Sequence, residues 1–360
     1  MNVNFLNTEI ELFKKFFFVK DVILYFFILV VFFLSFTFLI FFENVSVISE
    51  NCGDGTINNA CSLHQPYFCS EKSLIKDVVS CGCPEELVEA EGECVSNYSN
   101  ESKLVILNYV LDGEEFSLEF EVDSGVSNYL ASLPRSIKYG IEEIPQRIDF
   151  KLMKIDNELQ KNFLMPLVVE IQNLAPDSRE DQAKIAISLV QNIPYLEPEA
   201  VSVLFEGNLL RISRFPYQVL YDLAGSCEGK SELLIFLLRE LGYETSLFYY
   251  GEENHEAVGI KCPLENSLYG RGYCFVETTM PSPIAYSEGR YLGLLGSNKL
   301  LSNPEIIFIN EGDSLGEGLE EYRDSFVLTK IVNQIDAKGK INYLEKVRFD
   351  RLREKYGLLY

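Results

Sequence analysis

The chain has 360 residues, is 47% apolar and 13% aromatic, and carries a formal charge of −23. Length and apolar content support one large or two ordinary folded domains and exclude a disordered chain. The charge argues against nucleic acid as a partner, since phosphate binding needs a basic face, and a solvated acidic surface is a simpler reading than a site for basic substrates.

The first element is a membrane anchor. Val22 to Phe42 reads "VILYFFILVVFFLSFTFLIFF", 21 residues without a charge, which suffices for a helix to cross a bilayer. Lys14, Lys15 and Lys20 precede it, so residues 1–21 are expected in the cytoplasm and the chain after residue 42 outside the cell membrane, as a single-pass protein. A cleaved signal peptide is the competing idea, but "FFENVSVISEN" offers no small-residue cleavage site. An outside location permits disulfides. Nine cysteines leave one over, or one to pair with another chain.

Residues 43–102 read as a separate disulfide-rich module. Cys52, Cys61, Cys69, Cys81, Cys83 and Cys94 stand in a stretch with little apolar periodicity, which needs staples to hold a shape. Three bridges are expected, and their connectivity is open. Zinc is the alternative, but only one Cys-x-Cys and His64 are at hand, so no metal is assigned. The markers "CS…PYFC" and "CGCP" resemble a cysteine-rich module of secreted archaeal proteins with eight cysteines; Val78 and Val88 stand where the missing two would be. Asn44, Asn97 and Asn100 each open an Asn-x-Ser sequon, weak support for an exposed linker.

Residues 103–150 contain a β-hairpin. Asp112-Gly113 is a two-residue turn signal, and pairing Leu111 with Glu114 sets Val105, Leu107 and Tyr109 opposite Phe120, Leu118 and Phe116 on one apolar face. From about residue 151 to 360 the chain reads as one domain. "NELQKNFLMPLVVEIQNL" is helical, with Pro166 expected to kink it. The run from the Asp177/Ser178 cap to Pro194 is a second helix, and the tail from Leu315 holds two amphipathic packing helices.

"LAGSCEGKSELLIFLLRELGYE" is apolar nearly all round, a buried helix, and Cys227 falls in its first turn. Backbone N–H groups at a helix start favour negative charge, hence the nucleophilic thiolate form of a thiol placed there. Such a nucleophile needs a base, and the base an orienting group. His255 lies in "ENHEAVGIKC" and Glu277 in "GYCFVETT", both strand-like. Side-chain alternation lets Cys262 and Cys274 share one face and His255 and Glu277 the other. A Cys262–Cys274 bridge would then leave Cys227 free. One tension follows: with His255 directly across from Glu277, Cys274 faces Val258, on the order of 13 Å from Cys262, so a bulge or a turn at Cys262-Pro263 is needed. Glu228 and Glu232 read as solvated helix residues.

"GSCEGKSELLIFLLRELGYE", "NHEAVGI" and "CFVETT" together resemble transglutaminase-like proteins of the papain-like cysteine fold, over residues 180–290, and "RFPYQVLYDLAG" resembles archaeal and bacterial members. The resemblance implies an α+β fold in which a buried helix carrying the cysteine packs on an antiparallel sheet. It assigns nucleophile to Cys227, base to His255 and orienting acid to Glu277, where better-known members carry aspartate. It implies acyl transfer from a protein or peptide amide through a thioester, completed by an amine or by water, with no cofactor. Tyr221 and Gln218 are candidates for a second oxyanion donor, and equally for packing. No calcium loop is recognisable. Cys, His and Glu in this order also occur by chance, so a non-catalytic surface binding module and a structural envelope protein are the rival readings.

Overall fold

A computed structural model of the chain describes residues 51–358 apart from 139, 141–143, 197–201, 206–207, 212–213, 287–289 and 294–295. The expected anchor at 22–42, the cytoplasmic stretch 1–21 and the Asn44 sequon lie outside the described residues. Among the described residues no helix is long and apolar enough to cross a membrane. Residues 51–360 form one compact mixed α+β unit of antiparallel sheets and disulfides.

The cysteine-rich stretch carries β1 (Tyr67–Ser70), β2 (Ser73–Lys76), the single turn α1 (Val78–Cys81), β3 (Val88–Ala90) and β4 (Glu93–Val95). Its six cysteines pair 52–69, 61–81 and 83–94. Next comes the hairpin of β5 (Ser102–Leu111) and β6 (Glu114–Asp123). Its register runs Leu111↔Glu114 to Val105↔Phe120, as the Asp112-Gly113 turn demands. Both turn residues have positive φ, at 52° and 88°, a conformation that Asp tolerates and Gly adopts freely.

The helices α2 (Ser124–Ser132), α3 (Arg147–Ile155), α4 (Glu158–Leu174) and α5 (Arg179–Asn192) follow. Proline's missing N–H does not end α4, which runs through Pro166 to Leu174. Ser178 caps α5 by accepting from the Asp181 N–H. The short pair β7 (Ser202–Phe205) and β8 (Asn208–Arg211) leads to α6 (Pro216–Asp222) and α7 (Cys227–Glu240). Ser226 caps α7 through the Gly229 N–H, which is why the helix begins at the cysteine.

The central sheet is antiparallel in the order β11 (Tyr273–Val276), β10 (His255–Lys261), β9 (Thr245–Tyr250), β14 (Glu305–Asn310). Between β11 and β14 lies the hairpin β12 (Arg290–Gly293) and β13 (Gly296–Lys299); α8 (Glu320–Lys338) and α9 (Tyr343–Tyr356) close the chain. Leu233 to Leu238 of α7 are all fully buried and share one core with Leu247, Val258, Ile260 and Val276 of the sheet. That same core takes in Val105, Leu107, Tyr109, Phe120 and Val122 of the hairpin. The hairpin is therefore a layer of this domain. The other face of the sheet carries a second apolar cluster of Phe248, Tyr250, Ala257, Leu268, Phe275 and Leu300.

Candidate active site

Cys227 is the first residue of α7, His255 the first of β10, and Glu277 follows the last residue of β11. All three stand where their elements begin or end, so they meet at one end of the sheet. The eight other cysteines form four disulfides, the fourth between Cys262 and Cys274, and Cys227 remains a half-buried free thiol.

The sheet register removes the tension between the His–Glu pair and the Cys–Cys pair. Val258 pairs with Val276 and Ile260 with Cys274, which aligns Glu277 with Ala257 and His255 with Thr279. The expectation that His255 stands directly across from Glu277 is thus off by two residues. Both pairs are diagonal same-face neighbours, a spacing that suits a histidine–carboxylate contact and a disulfide alike. The two Cys Cα atoms are 5.7 Å apart. No bulge is needed; Cys262 N–H simply continues the ladder to the Gly272 carbonyl at 3.0 Å.

His255 is 1% and Glu277 2% exposed, and Nε2 of the ring meets Oε2 of the carboxylate at 3.0 Å. The Cys227 side chain acts on the same ring and favours its protonated form. With Nε2 engaged by Glu277, Nδ1 is the nitrogen left for the sulfur. Glu277 is itself held rigidly: Oε1 accepts from the Thr278 N–H at 3.0 Å, the Thr279 N–H at 2.8 Å and the Thr279 hydroxyl at 2.7 Å. The two threonines after the strand are therefore what orients the acid. Burial would push the carboxyl pKa up, but the imidazole and these donors hold it below the ordinary range. Burial likewise pulls the imidazole down, and the Glu277 charge and hydrogen bond together with the Cys227 side chain outweigh it, raising His255 from 6.5 to about 10. The site is built to keep the ring protonated at neutral pH.

Several supporting residues carry no motif. Tyr291, on β12, lies over the imidazole with ring centroids 4.2 Å apart. Gln191 at the end of α5 donates to the carbonyls of Glu277 at 2.9 Å and Ser282 at 3.0 Å. Ser231, one turn after the cysteine, donates to the Glu256 carbonyl and touches the Thr278 hydroxyl, joining helix, strand and loop. Lys230 is fully buried and donates to the carbonyls of Ile193 at 2.5 Å and Gln191 at 3.3 Å. These are carbonyls left open at the end of α5. Burial, only partly offset by Glu277 and Cys227, drops its pKa to about 7. An apolar helix with one buried lysine is the sole trace of this in the sequence.

Glu232 is not a solvated residue, contrary to the sequence reading, and Glu228, its side chain a third exposed, is ion-paired. Glu232 is fully buried, and Lys151 and Lys154 of α3 approach it at 3.1 and 2.7 Å. Lys151 also reaches Glu228 at 2.6 Å and Glu256 at 2.8 Å, while Arg147 approaches Glu256 at 3.7 Å. Three carboxylates gathered this closely could hold a cation. The Lys151 ammonium, in contact with all three, stands where the cation would. Heptad-free α3 gave no hint of this pairing, because Arg147, Lys151 and Lys154 read as an ordinary charged helix face.

Of the two candidate oxyanion donors, Gln218 is committed elsewhere. Its Oε1 caps α6 by accepting from the Phe215 N–H at 3.1 Å, and its Nε2 donates to the Ser127 carbonyl. Tyr221 lies beneath Lys103, whose Nζ is 3.9 Å from the ring centre. The class defined by this geometry is an α+β protein with a helix-borne thiol, an imidazole and a carboxylate in relay. No family model and no curated protein matches the chain.

Proposed function

We propose that the chain is a membrane-anchored, extracellular, transglutaminase-like cysteine enzyme with a papain-like core, acting on protein or peptide amides through Cys227, His255 and Glu277. One observation carries the reading: a half-buried free thiol at a helix start acts on a buried imidazole whose Nε2 is 3.0 Å from a buried carboxylate, itself held by three further donors. Nucleophile, base and orienting acid are in the order covalent catalysis requires.

The chemistry follows from the protonated ring. A thiolate–imidazolium pair supplies both the nucleophile and the acid. Sulfur attacks the amide carbonyl, and the Cys227 backbone N–H at the helix start is a donor for the oxyanion. His255 gives its proton to the departing amine, leaving a thioester, and Glu277 keeps the ring aimed and its charge compensated throughout. An incoming amine yields a cross-link and water yields hydrolysis, each returning the proton to His255.

The test is to incubate the protein with a glutamine-rich acceptor protein and a fluorescent primary amine. Amine incorporation identifies the transferase and cleavage the hydrolase; neither, together with a Cys227 thiol no more reactive than free cysteine at neutral pH, supports a non-catalytic surface module instead.

A further inference from the structure

Cys227 and His255 come from different elements, and each opens its own: the thiol is the first residue of α7 and the imidazole the first of β10. Element ends hold the fewest backbone hydrogen bonds and are the first to fray. Each of the two residues is followed in the sequence by a glutamate, Glu228 and Glu256. One ammonium reaches both. Nζ of Lys151, on α3, lies 2.6 Å from Glu228 and 2.8 Å from Glu256, and 3.1 Å from Glu232 one turn along α7. An ammonium has three N–H donors, and three carboxylates surround this one.

We propose that Lys151 is a positioning residue, which sets the spacing of the Cys227 sulfur and the His255 imidazole by gripping the residue after each. The proposal deepens the acyl-transfer reading and rests on it for the effect on turnover, though not for the placement of the ring. The neighbouring cations of α3 divide the same acids between them. Lys154 reaches Glu228 and Glu232 of α7, at 3.1 and 2.7 Å, and Arg147 reaches Glu256 of β10 at 3.7 Å. Lys151 joins the two elements. Alternation along β10 puts Glu256 on the α7 face with Val258 and Ile260, and His255 on the other face with Ala257. The clamp therefore holds the strand from behind and leaves the ring's own face to the chemistry.

The clamp is itself fixed. Ile155, one turn on from Lys151, lies in the core, and Asp156, which ends α3, meets Arg239 near the end of α7 at 2.5 Å. Burial lowers the pKa of Lys151, but the three carboxylates outweigh it and keep the ammonium charged. Hydrogen bonds between charged groups are shorter and stronger than neutral ones. Their loss matters here because a displacement of reacting groups by about 1 Å can cost about 10²-fold in rate.

The test compares Lys151→Met with Lys154→Met, which removes a cation from the same helix and the same α7 acids but leaves the bridge to β10. Glu256→Gln, a near-isosteric change, releases the strand alone and serves where Lys151→Met does not fold by circular dichroism. Full-length protein in detergent with isotope-labelled histidine gives two ring NMR signals, and His64 is the internal reference. The His255 signal is expected to shift in Lys151→Met and in Glu256→Gln and to stay in place in Lys154→Met. Alkylation of Cys227 by iodoacetamide at neutral pH should slow about tenfold or more in the first two and less than about threefold in the third. Combining Lys151→Met with Glu256→Gln should slow it no further, since both act on one contact. A His255 signal unmoved by Lys151→Met (or by Glu256→Gln in its stead), an equal shift in Lys154→Met, or independent effects in the double variant overturns the clamp. Failure of the enzyme reading is seen separately, as a parent thiol no more reactive than free cysteine, and the histidine signal decides the clamp in that case too.

Discussion

At the scale of single residues, the site is an exercise in opposed burial terms. His255 binds a proton more tightly folded than unfolded, so its stabilising contribution is complete below pH 6.5 and is lost as pH rises toward its folded value of about 10. Lys230 is the reverse: its folded pKa of about 7 lies below the unfolded 10.5, so its penalty is complete below pH 7 and relieved as pH rises. Between about pH 7 and 10 the two act against each other. Lys230→Met, which removes this pH-dependent penalty along with the two carbonyl contacts, should give a protein whose stability falls over that range more steeply than the parent's; urea midpoints at several pH values measure the slope, and parallel profiles would refute a buried ammonium at Lys230. Glu277→Gln removes the largest of the contributions that together outweigh desolvation at His255. Its amide-cleaving or transfer rate should fall about 10²–10⁴-fold, and the alkaline limb of the pH–rate profile should move to lower pH. An unmoved limb would mean that Glu277 does not set the imidazole's charge.

Elements matter through where they end. Helix α7 begins at Cys227 because Ser226 caps it, β10 begins at His255, and β11 stops one residue before Glu277. The diagonal register places the histidine and the carboxylate at one end of the strand pair and the disulfide at the other, seven residues on from His255 and three back from Glu277. Replacing Cys262 and Cys274 with serine should lower unfolding free energy by about 2–4 kcal/mol, the usual value for a short closed loop. Because the bridge pins the strands that carry His255 and Glu277, turnover should fall in the same variant. Retained activity at full stability would show the bridge to be incidental. Gly259 is the other register device. A Cβ there would lie 2.2 Å from the Ser246 hydroxyl and 2.7 Å from the Phe248 ring, so Gly259→Ala should destabilise by about 1–3 kcal/mol, read from a denaturant melt.

At the scale of the whole molecule, the cysteine-rich stretch is docked rather than tethered. Cys52, Cys69 and Leu74 pack on Val169 of α4. Asn173 exchanges two hydrogen bonds with the Leu74 backbone, at 2.7 and 3.0 Å, and Gln182 donates to the Gly53 carbonyl. Asn173→Ala should therefore cost about 1–3 kcal/mol by leaving those strand groups unpaired, and should speed proteolysis of the module first. Unchanged proteolysis would show that the apolar contact alone holds it. Much of this molecule was legible in its residues. The hairpin register, the cap of α5, the disulfide between Cys262 and Cys274 and the lone thiol all follow from local rules: turn chemistry, side-chain alternation and the pairing of an odd number of cysteines. Those rules act over a few residues and survive any tertiary arrangement. What they could not reach was the partner of a group from a distant element. Lys151 beside Glu232, Gln191 beneath Glu277, Tyr291 over His255 and the two-residue register shift depend on how helices and strands stack. There, burial turns residues that look like surface charge into compensated pairs. The types of group available for chemistry were written along the chain, whereas their protonation was decided by packing, since desolvation and neighbouring charge exist only once the fold has closed around them.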